Sequence, residues 1–313
     1  MKIVFFGSPA TALPSFEALL GAGHSVELVV TQPEKPAGRG RRLQPSAVKV
    51  FALGRGIPVI EPARVRTDAA ALERVRAAGP DVNVVVAYGQ IIPHDLHYFP
   101  RFHSLNVHFS VLPRYRGAAP VQWTVLNGDA ESGVTLIELN DRMDEGDVLA
   151  VRRVPVGPRE TARGLEDRLA GLGAALLVET LGRIDAIVPI PQEHGSATLA
   201  RKIKKEDGRV RWEDAAAVVD RKVRALADRP GVFTFLGPKR LNILRGRCLD
   251  AVCGPAATPG RVVSVGKEGL TVACGGGTAY LIEELQPEGR GPMAAHVFSL
   301  GTRIAPDARL RSQ

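Results

Sequence analysis

Along the first 110 positions, short apolar runs alternate with stretches in which apolar residues recur every three or four positions. Residues 2–6, 26–30 and 82–87 read as strands, a further strand ends near Val107, and a short one falls at Val59. Between them, 14–20, 46–53 and 67–77 have helical periodicity. Strand and helix taking turns in this way predicts a doubly wound, mostly parallel α/β sheet of Rossmann-like form. The turn Gly7-Ser8-Pro9-Ala10 after the first strand is tight, but it lacks the G-x-G-x-x-G spacing, so no dinucleotide site is read there.

The pattern changes after a long predicted helix over 160–183. Pro189 and Pro191 forbid a regular element, and 186–206 is read as a linker. Beyond it, apolar runs at 232–236, 241–244, 260–265, 270–274 and 279–285, punctuated by Gly and Pro, predict a small β-barrel. A chain of 313 residues with 45% apolar content supports two domains, expected at 1–185 and 207–313. Cys248, Cys253 and Cys274 match no zinc or redox spacing and are expected to be buried free thiols in a reducing cytoplasm. Lys2 leads directly into an apolar strand, and no run approaches membrane-spanning length, so a soluble cytoplasmic protein is expected.

Charge is placed unevenly. Residues 1–200 hold 21 basic and 21 acidic side chains, whereas 201–313 hold 20 and 12, so the net charge of +8 falls in the C-terminal third. A basic domain beside a neutral one suits a polyanion, nucleic acid first, against the alternative of a solvated basic surface. The loop at 32–45 is also basic: Lys35, Arg39, Arg41 and Arg42 stand among Pro33, Pro36, Gly38 and Gly40, with Glu34 as its acid. Cations on such a frame suit phosphates and base edges.

The chemistry concentrates between residues 104 and 147. Asn106 and His108 are two apart in a strand and share a face if Leu105 and Val107 point to the core. Asp144, in the turn Asp144-Glu145-Gly146-Asp147, supplies a carboxylate. An amide, an imidazole and a carboxylate together suit acyl or formyl transfer, although the same residues also fit an ordinary strand end and turn. The irregular run from Ser110 through Pro113 to Gly117 and Pro120 follows the strand directly, where open α/β sheets place ligands.

Asn106-Val-His108, then Ser110-Val-Leu-Pro113, then Asp144-Glu-Gly146-Asp147 resemble the signature of the folate-dependent formyltransferases. The start at Lys2-Ile-Val-Phe-Phe-Gly7, the basic run from Thr31 to Arg41, Val84 to Gly89, and Arg116-Gly-Ala-Ala-Pro120 also fit, so the resemblance spans nearly the whole chain. Phe109 and Val111 depart from the pattern, and a bulky Phe109 is expected to narrow the mouth of the site. The resemblance implies an OB-like C-terminal domain that binds tRNA, and transfer of formyl from 10-formyltetrahydrofolate to the α-amino group of methionine on initiator methionyl-tRNA. It implies Asn106 and His108 as stabilisers of the reacting oxygen and Asp144 as the residue that orients His108 and relays protons. Folate is then expected against Val86, Tyr88, Gly89, Ser110, Val111, Leu112 and Pro113. Lys35, Arg39, Arg41 and Arg42 are expected in the acceptor stem, with no metal and a monomeric enzyme. Two other readings remain at this point: formyl transfer to another amine such as an amino-sugar nucleotide, and a non-catalytic nucleic-acid-binding protein. The basic loop and basic C-terminal third disfavour the first.

Overall fold

The computed structural model describes residues 1–37, 42–249, 258–302, 304 and 308–312. Arg39, Arg41 and Cys253 therefore lie outside the described residues. The chain forms two compact units, the first of Met1–Val121, Glu131–Val156 and Leu165–Arg201, the second of Gln122–Ala130, Gly157–Gly164 and Lys202–Gln313.

In chain order, β1 (Lys2–Gly7), α1 (Leu13–Gly21) and β2 (Ser25–Val30) are followed by two short paired strands, β3 (Lys35–Ala37) and β4 (Arg42–Gln44). Next come α2 (Ala47–Leu53), β5 (Val59–Ile60), α3 (Ala69–Ala77), β6 (Val82–Val86), α4 (His94–His97) and β7 (Ser104–His108). Then follow α5 (Pro120–Asn127), β8 (Glu131–Glu138), β9 (Val148–Pro155) and α6 (Ala162–Leu181). Helix α2 starts at Ser46, whose hydroxyl accepts the Lys49 N–H, and α3 starts at Asp68, whose carboxylate accepts the Ala71 N–H. Each side chain satisfies a donor that the first helical turn leaves unpaired.

The first unit is built on a seven-stranded sheet of order β5-β2-β1-β6-β7-β8-β9. From β5 to β7 the strands are parallel, and β8 and β9 run antiparallel. The chain winds outward from β1 to β5, then returns to place β6 on the other side of β1. That reversal opens a crevice at the carboxyl ends of β1 and β6, the usual ligand position in an open α/β sheet. Ile3, Val4, Phe5 and Phe6 are all fully buried, as a strand covered on both faces must be. Phe5 stacks on Phe16 of α1 at 4.7 Å, and Phe6 meets Tyr88 edge-on at 5.5 Å across the opposite face.

Residues 186–201, read from the sequence as linker, belong to the first unit and run as an extended strap over it. Ile190 exchanges backbone hydrogen bonds with Val148 at 2.9 and 2.8 Å, and Ala200 donates to the Arg116 carbonyl at 2.7 Å. The prolines that forbid a regular element still permit this ladder, because the bonded residues lie beside them.

In the second unit, α7 (Ala216–Leu226) is followed by β10 (Val232–Leu236), β11 (Lys239–Leu249), β12 (Val262–Gly266), β13 (Gly269–Ala273), β14 (Ala279–Pro287) and β15 (Met293–Ala294). Helix α8 (Ala295–Thr302) and β16 (Leu310–Arg311) end it. The antiparallel sheet has the order β12-β13-β14-β11-β10-β16. Its two edges are drawn together: Val262 N–H donates to the Ala308 carbonyl and Leu310 N–H to the Gly260 carbonyl, both at 2.8 Å. Those bonds curl the sheet into the small barrel-like domain expected. Trp212 is buried in its core with the indole N–H on Thr234 Oγ1 at 3.0 Å, and Val219, Val223 and Leu226 form the buried stripe of α7. Cys248 is half-buried and Cys274 buried, neither in a disulfide.

Helix α6 tests the packing under the first sheet. A side chain at Gly173 would lie 2.7 Å from Val107 Cγ1 and 3.3 Å from Val134 Cγ1, whereas one at exposed Gly171 would meet nothing within 4 Å. Gly171→Ala should raise stability in urea by about 0.5–1 kcal/mol through helix propensity, and Gly173→Leu should lower it by about 1–3 kcal/mol through overpacking. Equal midpoints for the two variants would show that α6 does not approach the sheet this closely.

Candidate functional site

Strand β7 carries Asn106 opposite Val85 of β6 and Ile137 of β8, and His108 opposite Thr135 of β8. The alternation expected from spacing holds: Leu105 and Val107 are buried apolar residues, and Asn106 and His108 project to the other face. Asp144 comes from the β8–β9 connection. That loop is pinned at its roots, with Leu139 N–H on the Ser104 carbonyl at 2.7 Å and Glu138 N–H on the Asp147 carbonyl at 2.9 Å. Gly146 passes so close to Glu138 that any Cβ there would collide with the Glu138 carbonyl.

The three side chains converge. Asp144 Oδ1 accepts from Asn106 Nδ2 at 3.4 Å, Oδ2 accepts the Gly117 backbone N–H at 2.8 Å, and Oδ2 lies 3.7 Å from His108 Nδ1. A carboxylate only accepts, so the nitrogen of the Asn106 amide is the atom that faces Asp144. The other ring nitrogen of His108, Nε2, is 2.9 Å from the Tyr115 carbonyl and carries the proton that this acceptor needs. Nδ1 is thereby turned toward Asp144. Asp144 itself has φ of 55°, a left-handed conformation that costs a non-glycine residue roughly 1 kcal/mol or more and that the surrounding bonds must hold.

The residues expected to meet folate fall into two groups. Val86 ends β6, and the chain then turns sharply with Ala87 at φ 48° and Gly89 at φ 74°. Val86 is buried, and the Tyr88 ring lies in the core with its hydroxyl pushed well above the ordinary range by burial, so neither side chain is offered at the surface of this turn. The second group folds back over β8: Thr135 Oγ1 accepts the Leu112 N–H at 3.0 Å and donates to the Ser110 carbonyl at 2.7 Å. Ser110 and Leu112 are buried, leaving Val111 and Pro113 half-buried at its edge. Phe109 is buried, and its ring approaches the position a Gly173 side chain would take, so it fills the core beneath α6 and does not narrow the site.

Lys35 is exposed at the start of β3 and donates to Gln32 Oε1; Gln32 Nε2 in turn donates to the Tyr88 carbonyl at 2.5 Å. One side chain thus joins the base of the basic loop to the turn after β6. Lys49 braces the same base against Glu34 at 2.9 Å and Glu61 at 2.6 Å. The backbone of Arg42 opens β4.

Sequence spacing did not single out a second set of polar residues beside Asp144. Arg116 and Gln192 are both buried, 4% and 7% exposed, and are bonded to each other. Arg116 lies in the motif Arg116-Gly-Ala-Ala-Pro120, but Gln192 stands in the proline-rich stretch and is brought in from 76 residues away. Among the described residues, no group of three or more His, Cys, Asp or Glu is arranged to hold a metal ion.

Residues 1–181 match the model of the formyl transferase family and residues 202–303 that of the formyl transferase C-terminal domain, so the chain belongs to the formyl transferase family. Its relatives include proteins named methionyl-tRNA formyltransferase. That of Anaeromyxobacter dehalogenans strain 2CP-1 is 43% identical over 305 residues, covering 97% of this chain and 97% of that protein. That of Geobacter sulfurreducens is 42% identical over 312 residues, covering 99% and 96%. Among solved structures, HypX from Aquifex aeolicus in complex with tetrahydrofolic acid superposes with a TM-score of 0.66 at 18% identity, over 96% of this chain and 47% of that one. The sugar 3N-formyl transferase WlaRD superposes with a TM-score of 0.67 at 18% identity, over 93% and 99%. These two share the fold.

Two histidines lie against the far side of the Asp144 loop. His97, buried at 4% exposure, lies 3.7 Å from Asp141, and His94 Nδ1 bonds Asp141 at 3.0 Å. Burial pushes the His97 imidazole below its usual 6.5, against opposing pulls from Asp141 and the Ile92 carbonyl and with reinforcement from His94. The unfolded chain therefore takes up a proton near pH 6.5 that the folded chain does not, and stability falls as pH drops below that value. His97→Gln should flatten the loss of urea midpoint between pH 7.5 and 5.5; an unchanged slope would remove His97 from this account.

Proposed function

We propose that this chain transfers the formyl group of 10-formyltetrahydrofolate to the α-amino group of methionine on initiator methionyl-tRNA. The observation that carries this reading is the near end-to-end likeness to methionyl-tRNA formyltransferases, 43% identical over 97% of both chains. The convergence of Asn106 and His108 of β7 with Asp144 of the β8–β9 connection supports it. The site's donor set suits a reacting carbonyl. One N–H of the Asn106 amide bonds Asp144, and the second has no acceptor among the described residues, so it is available to an oxygen that gains charge.

The neutral amine adds to the formyl carbon, forming a C–N bond and placing negative charge on the formyl oxygen. Asn106 donates to that oxygen. His108 is fixed by the Tyr115 carbonyl with Nδ1 toward Asp144, so a proton on Nδ1 lies between imidazole and carboxylate and places positive charge beside the intermediate. Asp144 receives the proton that the amine loses, and passes it toward N10 as the C–N10 bond breaks. Folate lies along the backbone of 86–89 and the edge formed by Val111 and Pro113. Tyr88, Ser110 and Leu112 support those surfaces from below.

The acceptor is read through charge. Lys35, Arg39, Arg41 and Arg42 contact the acceptor stem, and residues 201–313, with 20 basic against 12 acidic side chains, hold phosphates elsewhere on the tRNA. An amino-sugar nucleotide would use neither feature.

Each of Asn106→Ala, His108→Ala and Asp144→Ala should lower kcat for formylation of methionyl-tRNA by roughly 100-fold or more while the protein stays folded. Near-normal turnover by folded His108→Ala would contradict the assignment. Replacing Arg39, Arg41 and Arg42 together with Ser should raise KM for methionyl-tRNA and reduce the salt slope of its binding by roughly 0.7–0.9 for each phosphate that is no longer neutralised. Folate affinity should not change, and an equal loss of it would mean that the loop supports the site instead of the tRNA.

A further inference from the structure

Arg116 and Gln192 are buried polar residues that the proposed chemistry does not use. Arg116 Nε and Nη2 donate to Gln192 Oε1 at 3.1 and 2.8 Å. A guanidinium has no acceptor, so these two bonds fix which end of the amide is oxygen. The Gln192 nitrogen is left pointing the other way, donating to the backbone carbonyls of Asp144 at 2.9 Å and Gly146 at 2.8 Å. Those carbonyls flank Glu145, whose carboxylate lies 3.3 Å from Arg116 Nη1. The His194 ring completes the group, with Nδ1 3.2 Å from Arg116 Nη2 and 3.7 Å from Glu145. One buried cation therefore grips the loop twice, through Gln192 on its backbone and through Glu145 on its side chain.

The grip falls on the residue that needs it. Asp144 is held at positive φ, and a loop released at its own carbonyl would relax toward an ordinary conformation and swing the carboxylate away from Asn106 and His108. Three consecutive residues also act on the trio together: Tyr115 accepts from His108, Arg116 orients Gln192, and Gly117 donates to Asp144. Arg116 is itself fixed to the strap, donating to the Thr198 carbonyl at 2.9 Å and accepting from Ala200.

We infer that Arg116 and Gln192 form a clamp that sets the position of Asp144 for formyl transfer, with both as positioning residues that act only through Asp144. The inference rests on the role proposed for Asp144. Its signature is a fall in kcat without a matching change in folate binding, and an effect that disappears once Asp144 is gone.

Formyl transfer to methionyl-tRNA is measured in single turnover for Gln192→Met, which removes both ends of the amide at similar volume, and for Gln192→Asn, which keeps the amide but shortens its reach. Folding is checked by thermal melting, and 10-formyltetrahydrofolate affinity by titration. Each folded variant should lose about tenfold or more in rate, as expected for a group displaced by an ångström, with folate affinity within about twofold of wild type. In the Asp144→Ala background the same substitutions should cost less than about twofold more, because residues that act as one unit are not additive. Wild-type rates in a folded Gln192 variant, or effects that multiply in the Asp144→Ala background, would overturn the clamp. A folded Asp144→Ala protein with near-normal rate would instead defeat the reading of Asp144, leaving a different and distinguishable result.

Discussion

The site depends on one hydrogen-bonded carboxylate. Asp144 accepts the Gly117 N–H at 2.8 Å and sits between Asn106 and His108, although its own backbone is in a conformation that it would leave if free. Everything around it keeps it there. Strand β7 presents the amide and the imidazole on one face, the roots of the β8–β9 loop are bonded to β7 and to each other, and the 115–117 segment bonds both His108 and Asp144. The buried Arg116–Gln192 pair holds the loop's carbonyls. A carboxylate held by so many groups would need little rearrangement in the proton relay proposed for it, which is the condition for electrostatic preorganisation.

The sheet supplies the frame. Parallel strands end together on one side, and the switch of direction between β1 and β6 leaves a crevice there. Strand β7 lies next to β6, so the turn after β6 and the Asn106–His108 end of β7 share that side. The antiparallel addition of β8 and β9 returns the chain across the site and delivers Asp144 to it. Gln32 then links the turn after β6 to the base of the basic loop, so the segments proposed for folate and for tRNA are joined through one side chain.

Much of this was legible in the sequence because it follows from local rules. The alternation of apolar strand runs with helical periodicity announces a parallel sheet, and the two-residue spacing of Asn106 and His108 announces their common face. The small barrel was legible as short strands, but its closure rests on bonds between Gly260–Val262 and Ala308–Leu310, which no local pattern reveals. Strands β8 and β9 were not predicted. Six consecutive residues of β8 are buried, a pattern shared with a core helix, and only pairing decides between them. Phe109 looked like an obstruction because it is bulkier than the family pattern beside His108, yet its ring is buried toward Gly173 of α6. Gln192 escaped notice because the prolines around it describe the backbone and say nothing of a side chain that meets Arg116.

The central claim is that these residues move a formyl group from folate to an amine carried on tRNA. It is tested most directly by incubating the full-length protein with formyl-labelled 10-formyltetrahydrofolate and methionyl-tRNA, then isolating the aminoacyl product. The account predicts that the label appears on the α-amino group of the esterified methionine, in proportion to the tetrahydrofolate released. Label that stays on folate while both substrates bind, or that moves only to an amino-sugar nucleotide offered alongside, would contradict it.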